Sequence, residues 1–235
     1  MELKDQIKFY DERWAKKSFL NSLKLRRATK ILEYFTIVKR KLKLPLTIDL
    51  GCGDGRFISF LGEFTPAEGI ELSEEAVRAA KEKYPNTVFH QGNVLEFPFK
   101  KEHYDLVVSQ EVIEHIEDQA RYLEVAAAIL KKGGYLILTT PNKKVFDHME
   151  GGNWSRQPIE KVVSPADLKK LVTAQFDIIT YESIIFNFGN LGYFKWVNHR
   201  LFIGGFKKLG LEKLRNGILS KLGFGLHQCL LAQKK

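Results

Sequence analysis

The chain has 235 residues, a formal net charge of +9, 44% hydrophobic residues and two cysteines. That length suits one α/β domain with a sizeable core and perhaps an appended segment, and leaves little room for a second full domain. Two cysteines do not make a disulfide framework, no run approaches the roughly 20 apolar residues of a membrane span, and the first residues lack the apolar core of a signal peptide, so a cytoplasmic protein with reduced thiols is expected.

The charge is unevenly divided. Residues 1–45 hold 13 Lys/Arg against 5 Asp/Glu, residues 184–235 hold 9 against 1, and the segment between holds 15 against 22. Two basic flanks thus enclose an acidic middle, and such flanks suit an anionic surface or simply keep amphipathic segments soluble.

In chain order, residues 3–44 read as a basic helical region, with Phe9, Tyr10 and Trp14 near its start and Leu23, Leu25, Ile31, Leu32 and Phe35 beyond. Residues 1–45 are expected to form a helical lid, and residues 46–235 the main domain that the lid covers. Strands are then expected at 46–50, 67–71, 87–91, 104–109 and 135–140, alternating with helices at 56–63, 74–84 and 118–130. The alternation implies a parallel sheet wound on both faces. Ser73-Glu74-Glu75 reads as a helix start, Lys131-Lys132-Gly133-Gly134 as a stop, and Ser164-Pro165-Ala166-Asp167 as an N-cap followed by proline at the first helical position. A sixth strand is expected at 176–182 and a last one at 226–232. The stretch between them, about 184–224, is too long for a hairpin, which takes about 2–5 residues, and too aromatic for disorder.

The chemistry begins at the first strand. It ends in Asp49 and runs into Gly51-Cys52-Gly53-Asp54-Gly55, a turn whose alternate glycines let backbone approach a ligand and whose following helix points free N–H groups at the same spot. Glu71, 22 residues after Asp49 at the end of the next strand, can accept from both hydroxyls of a ribose. Together they imply a nucleoside ligand. A dinucleotide-binding oxidoreductase would share strand, turn and acid, but its G-x-G-x-x-G spacing is absent: the glycines fall at 51, 53 and 55, and Arg56 stands where that fingerprint needs glycine.

Five blocks in order resemble a known family: 48–55 (IDLGCGDG), 69–73 (GIELS), 92–94 (GNV), 104–115 (YDLVVSQEVIEH) and 130–138 (LKKGGYLIL). Over about Thr47 to Asn142 the chain resembles the class I S-adenosylmethionine-dependent methyltransferases, in particular a small-molecule or ubiquinone-pathway O-methyltransferase-like branch. The resemblance implies a doubly wound, seven-stranded, mostly parallel sheet with an antiparallel last strand, here with an insertion before that strand. It implies S-adenosyl-L-methionine as cofactor and S-adenosyl-L-homocysteine as product. Asp49 and the turn from Gly51 through Cys52 and Gly53 to Gly55 would hold the methionine part, Glu71 the ribose, Leu72 one adenine face, Asn93 and Val94 the adenine edge, and Gln110 the methionine end. Many members carry aspartate where Asn93 stands, and the Asn93 carbonyl can still accept from an amino group.

Methyl transfer also needs the acceptor positioned and deprotonated. Glu111, Glu114 and His115 follow the fourth strand, and His115, with Glu111, is the expected catalytic group because imidazole titrates near neutrality. The Glu111-x-x-Glu114-His115 spacing also resembles the metal segment of small-RNA 2′-O-methyltransferases, but the further histidine those families carry has no counterpart here, and no metal is expected. His148, Asn153, Trp154 and Arg156 are candidates to touch substrate. The expected acceptor is a small or lipid-linked molecule methylated at oxygen; RNA 2′-O-methylation and a non-catalytic cofactor-binding scaffold are the alternatives. Phe206, Leu209, Leu214, Ile218 and Leu222, interleaved with lysines and an arginine, read as one basic amphipathic helix, suited either to peripheral docking on an anionic membrane or to packing over the cleft or a second copy. No RNA-binding module is visible, and nucleic acid is not an expected partner.

Overall fold

A computed structural model describes residues 3–14, 21–150 and 158–235. Two N-terminal helices, α1 (Leu3–Trp14) and α2 (Ser22–Lys41), precede β1 (Thr47–Leu50), α3 (Arg56–Gly62), β2 (Ala67–Glu71), α4 (Glu74–Lys83), β3 (Val88–Gln91) and β4 (Tyr104–Gln110). After a 3₁₀ turn at Ile113–His115 come α5 (Gln119–Ile129), β5 (Leu130–Pro141), α6 (Lys143–Phe146), α7 (Pro165–Thr173), β6 (Phe176–Ile184), α8 (Phe194–Val197), α9 (Arg200–Lys208), α10 (Glu212–Lys221) and β7 (His227–Lys234). The seven strands form one sheet in the order β3-β2-β1-β4-β5-β7-β6, with β7 antiparallel to both neighbours and the β1–β5 pairings parallel. This is the Rossmann-like methyltransferase architecture expected from the sequence.

The central strands β1, β4, β5 and β7 are buried on both faces, so their two-residue alternation sorts apolar side chains between two cores instead of between core and solvent. Val107, Leu136, Leu138 and Leu230 meet Tyr122, Ala126 and Ile129 of α5 and Leu168 and Val172 of α7. Leu106, Val108, Ile137 and Leu231 meet Ile58 and Leu61 of α3, Val77 and Ala80 of α4, and Ile31, Tyr34, Phe35 and Val38 of α2. The helix starts are capped as their sequences suggest: Ser73 Oγ accepts from Ala76 N at 3.1 Å and Ser164 Oγ from Asp167 N at 3.2 Å.

Three expectations change. The two described helices of the region expected as a lid are placed differently: α2 seals a face of the sheet with four buried side chains, whereas α1 buries none and lies over the carboxyl ends of the strands. The strand expected at 135–140 begins at Leu130, because α5 ends at Ile129 and Leu130 already pairs with Tyr104, so Gly133 and Gly134 fall inside an irregular strand. The single helix read through 206–222 is two helices, broken at Gly210, whose φ of 69° closes α9 before α10 begins.

Candidate active site

The strand order reverses between β1 and β4, and a cleft of about 1030 Å³ opens at the carboxyl ends of the strands there. Its floor is made of Asp49 from β1, Glu71 from β2, Asn93 and Val94 from the turn after β3, and Gln110 from β4; Gln6, Phe9, Tyr10, Arg13 and Trp14 of α1 cover it. Gly51, Gly53 and Gly55 have φ of 80°, 54° and 70°. A Cβ on Gly53 would stand 2.5 Å from the Trp14 ring, so the turn is held bare on the side that faces the cleft. Gly51 N and Cys52 N donate to Ile70 O at 2.8 and 2.9 Å, which ties the turn to the end of β2. Cys52 is buried, and burial pushes its thiol well up.

The two floor carboxyls differ. Glu71 accepts from the backbone N–H of Gly53 (3.0 Å), Leu72 (2.9 Å) and Ser73 (3.1 Å), and burial still raises it above the usual carboxylate range. Asp49 is 3% exposed, and its Oδ1 has no hydrogen-bond partner; burial, and then the Glu71 charge, raise it to about 7. A buried carboxyl oxygen without a donor marks a place where a ligand donor belongs. The Asn93 side chain lines the cleft while Oδ1 accepts from Leu95 N at 3.0 Å, an Asx turn that fixes the chain entering the site.

Past β4, Glu111 takes φ of 58° and lines the cleft with its carboxylate engaged by other side chains. Oε2 lies 2.8 Å from His227 Nδ1 and 3.6 Å from an Arg27 nitrogen, and Oε1 accepts from Thr139 Oγ1 at 3.0 Å. Burial alone would raise this carboxyl, but His227 and Arg27 outweigh it and hold the group far below the usual range, which makes it a poor base. Glu114 is 1% exposed and accepts from Thr140 Oγ1 at 2.9 Å; burial, and then the Glu111 charge, push its carboxyl well above the usual carboxylate range. Adjacent carboxyls are thus driven apart in opposite directions. Arg27 and His227 escaped the sequence reading because they lie 200 residues apart and no local pattern joins them.

His115 lies in the cleft wall. Nδ1 donates to Ile159 O at 2.8 Å, which assigns the proton to Nδ1 and leaves Nε2 as the lone-pair nitrogen, 3.7 Å from Glu114 Oε1. Burial lowers its pKa, with the Ile159 carbonyl opposing, so the ring is neutral near pH 7. His148 does not belong to this cleft: Nδ1 donates to Lys144 O at 2.8 Å, and the ring packs on Tyr193 and Phe194. Asn153, Trp154 and Arg156 lie outside the described residues. Among the described residues no group of three or more His, Cys, Asp or Glu side chains is placed to hold a metal ion, and Glu111 and Glu114 are each committed to other partners.

A family model described as a methyltransferase domain matches residues 23–179, two thirds of the chain. The chain belongs to the class I S-adenosylmethionine-dependent methyltransferases. Curated relatives include a "probable S-adenosylmethionine-dependent methyltransferase" of Mycolicibacterium smegmatis, 28% identical over 134 residues, covering 56% of this chain and 51% of that protein. The mitochondrial ubiquinone biosynthesis O-methyltransferase of Homo sapiens is 27% identical over 171 residues, covering 63% of this chain and 46% of that protein. The match thus spans about half the length of these relatives. Among solved structures, the N-methyltransferase NodS of Bradyrhizobium japonicum, in complex with S-adenosyl-L-homocysteine, superposes with a TM-score of 0.65 over 97% of each chain at 15% identity. That likeness shows the shared fold.

The methyltransferase's cofactor is S-adenosylmethionine, and its cleft fits that molecule. The partnerless Asp49 oxygen suits the cationic methionine end, the bare glycine turn admits close approach, and the Glu71 carboxylate has acceptor capacity beyond its three backbone donors.

Proposed function

We propose that the protein transfers the methyl group of S-adenosylmethionine to a hydroxyl of a small or lipid-linked acceptor, with His115 as general base. The observation that carries this reading is the anchored imidazole: the bond from Nδ1 to the Ile159 carbonyl fixes the tautomer, and burial keeps Nε2 unprotonated at neutral pH. When bound, the cofactor supplies an electrophilic methyl on a good leaving group. The chain then has two tasks, orienting the acceptor and taking its proton.

Asp49, Gly51, Cys52, Gly53, Gly55, Glu71, Leu72, Asn93, Val94 and Gln110 hold the cofactor in this account, and the cover from α1 keeps water from the reacting atoms. His115 Nε2 accepts the acceptor proton. Glu111 is a positioning residue: as a fixed anion between Arg27 and His227 it locks the backbone after β4, and so sets where the His115 ring stands. Oxygen as the target draws support from the names of the ubiquinone O-methyltransferase relatives and from the base itself, because a hydroxyl must lose a proton that a neutral amine need not lose before attack.

The test is labelled-methyl transfer from S-adenosylmethionine into a cell extract, with the product partitioned among lipid, aqueous, nucleic-acid and protein fractions. Label in a base-stable ether of the lipid or aqueous fraction supports the reading; label in RNA or protein contradicts it. His115→Ala should lower transfer about 10²-fold or more and leave S-adenosylhomocysteine affinity unchanged. Equal transfer by the variant would remove the base from the account.

A further inference from the structure

We infer that the connection between β6 and β7 is a docking surface for anionic lipid. Helices normally bury their apolar stripe and present charge to solvent. Here α10 departs from that rule: its inner face holds Leu219 together with Arg215, which is 5% exposed and donates to Asn187 Oδ1 at 3.1 Å and Val197 O at 3.0 Å. Leu211, Leu214, Ile218 and Leu222, spaced three and four residues apart, point outward and are 40%, 56%, 49% and 55% exposed. Along α9, which buries no residue, Leu201, Phe202 and Leu209 add to the patch, with Leu201 and Leu209 at 75% and 72%. Trp196 just before them is 77% exposed. Eight large apolar side chains exposed on one insertion call for a partner.

The charges around the patch decide which one. Lys195, Arg200, Lys207, Lys208, Lys213 and Lys221 are all exposed, and Glu212 is the one exposed carboxylate between residues 191 and 224. In an isologous pairing with a second copy these cations would face their own images across the two-fold axis, with almost no carboxylate to answer them. An anionic bilayer answers both features, taking Leu, Ile, Phe and Trp into the head-group boundary while lipid phosphates meet the cations. Among the described residues no helix is long and apolar enough to cross a membrane, so the contact is peripheral.

The surface is joined to the cleft. Phe194 and Phe224, which root the insertion, pack in one cluster with Leu23, Phe146 and Leu226, and these three also line the cleft. Docking through α9 and α10 would therefore set the acceptor entrance beside the bilayer. The inference stands on the surface itself and does not depend on which acceptor is methylated.

The experiment is flotation of the full chain with vesicles of phosphatidylcholine alone and of phosphatidylcholine with phosphatidylserine. The chain should float with the anionic vesicles only, and less as salt is raised. Lys207→Gln with Lys208→Gln and Lys213→Gln should weaken partitioning roughly 100-fold. Leu201→Glu with Leu209→Glu and Leu214→Glu should abolish it even at low salt. All six positions are exposed and outside the cleft, so unchanged S-adenosylhomocysteine binding certifies that both variants fold. Equal flotation of wild type and the leucine variant overturns the inference. So does a wild-type dimer in light scattering that the leucine variant converts to monomer, or binding to RNA but not to vesicles.

Discussion

Asp49 and Glu71 lie at the ends of neighbouring strands, and their difference in hydrogen bonding produces a measurable signature. Glu71 has three backbone donors, while Asp49 has an oxygen with none and a pKa raised to about 7, by burial and then by the Glu71 charge. A ligand bearing an ammonium group favours the ionised form of Asp49, so binding near pH 7 should release protons. S-adenosylhomocysteine titrated at pH 7 in two buffers of different ionisation enthalpy should give different apparent enthalpies, and the difference should vanish in Asp49→Asn. His115 carries the second signature. Its pKa is lowered by burial, and the base form is the neutral one, so transfer should rise with pH and reach half its plateau below the ordinary histidine value of about 6.5. A half-point above that value would mean that another group takes the proton. Asp49, Glu71 and the glycine turn stand out in the sequence because their spacing is local, and His115 because it follows the fourth strand; the tautomer of His115 and the engagement of Glu111 do not, because Ile159, Arg27 and His227, which decide them, come from distant parts of the chain.

At the level of elements, α1 and α2 both carry aromatics, but α1 has as many acids as cations whereas α2 is strongly basic, and they do different things. Ile31 of α2 is fully buried against the sheet, so Ile31→Ala should cost about 2–5 kcal/mol of stability in urea unfolding. In α1 no side chain is buried, and Asp11 ties the helix to the start of α4, accepting from Ser73 Oγ and from Glu75 N at 3.4 Å. Asp11→Ala should leave the urea midpoint nearly unchanged and speed S-adenosylhomocysteine dissociation in stopped flow; an unchanged off-rate would show that α1 does not gate the cleft. The strand–helix alternation was legible because each strand is a short apolar run bounded by caps. The α9–α10 break was not, because Gly210 sits inside a pattern that continues at helical spacing across it, and only the positive φ shows that the helix has ended.

Across the whole molecule, the basic flanks seen in the composition end in separate places. The cations of α2 are divided, with Arg27 reaching the Glu111 cluster and Lys30 reaching Glu182 at 3.1 Å, whereas those of α9 and α10 ring an exposed apolar face. Charge counting could suggest a surface but could not show that Leu214 and Ile218 of α10 point outward while Arg215 and Leu219 take the inner face. The cleft and the root of the insertion, Phe194 and Phe224, meet through Leu23, Phe146 and Leu226.

The central claim is that the residues at the ends of β1 and β2 hold S-adenosylmethionine. It is tested most directly by calorimetric titration of S-adenosylhomocysteine into wild type and Glu71→Ala. The expected result is binding by wild type, at least about tenfold weaker binding by the variant, which loses a charge-assisted acceptor for the ribose, and no binding of a nicotinamide dinucleotide by either. Equal affinity in the two proteins, or binding of the dinucleotide in place of S-adenosylhomocysteine, would contradict it.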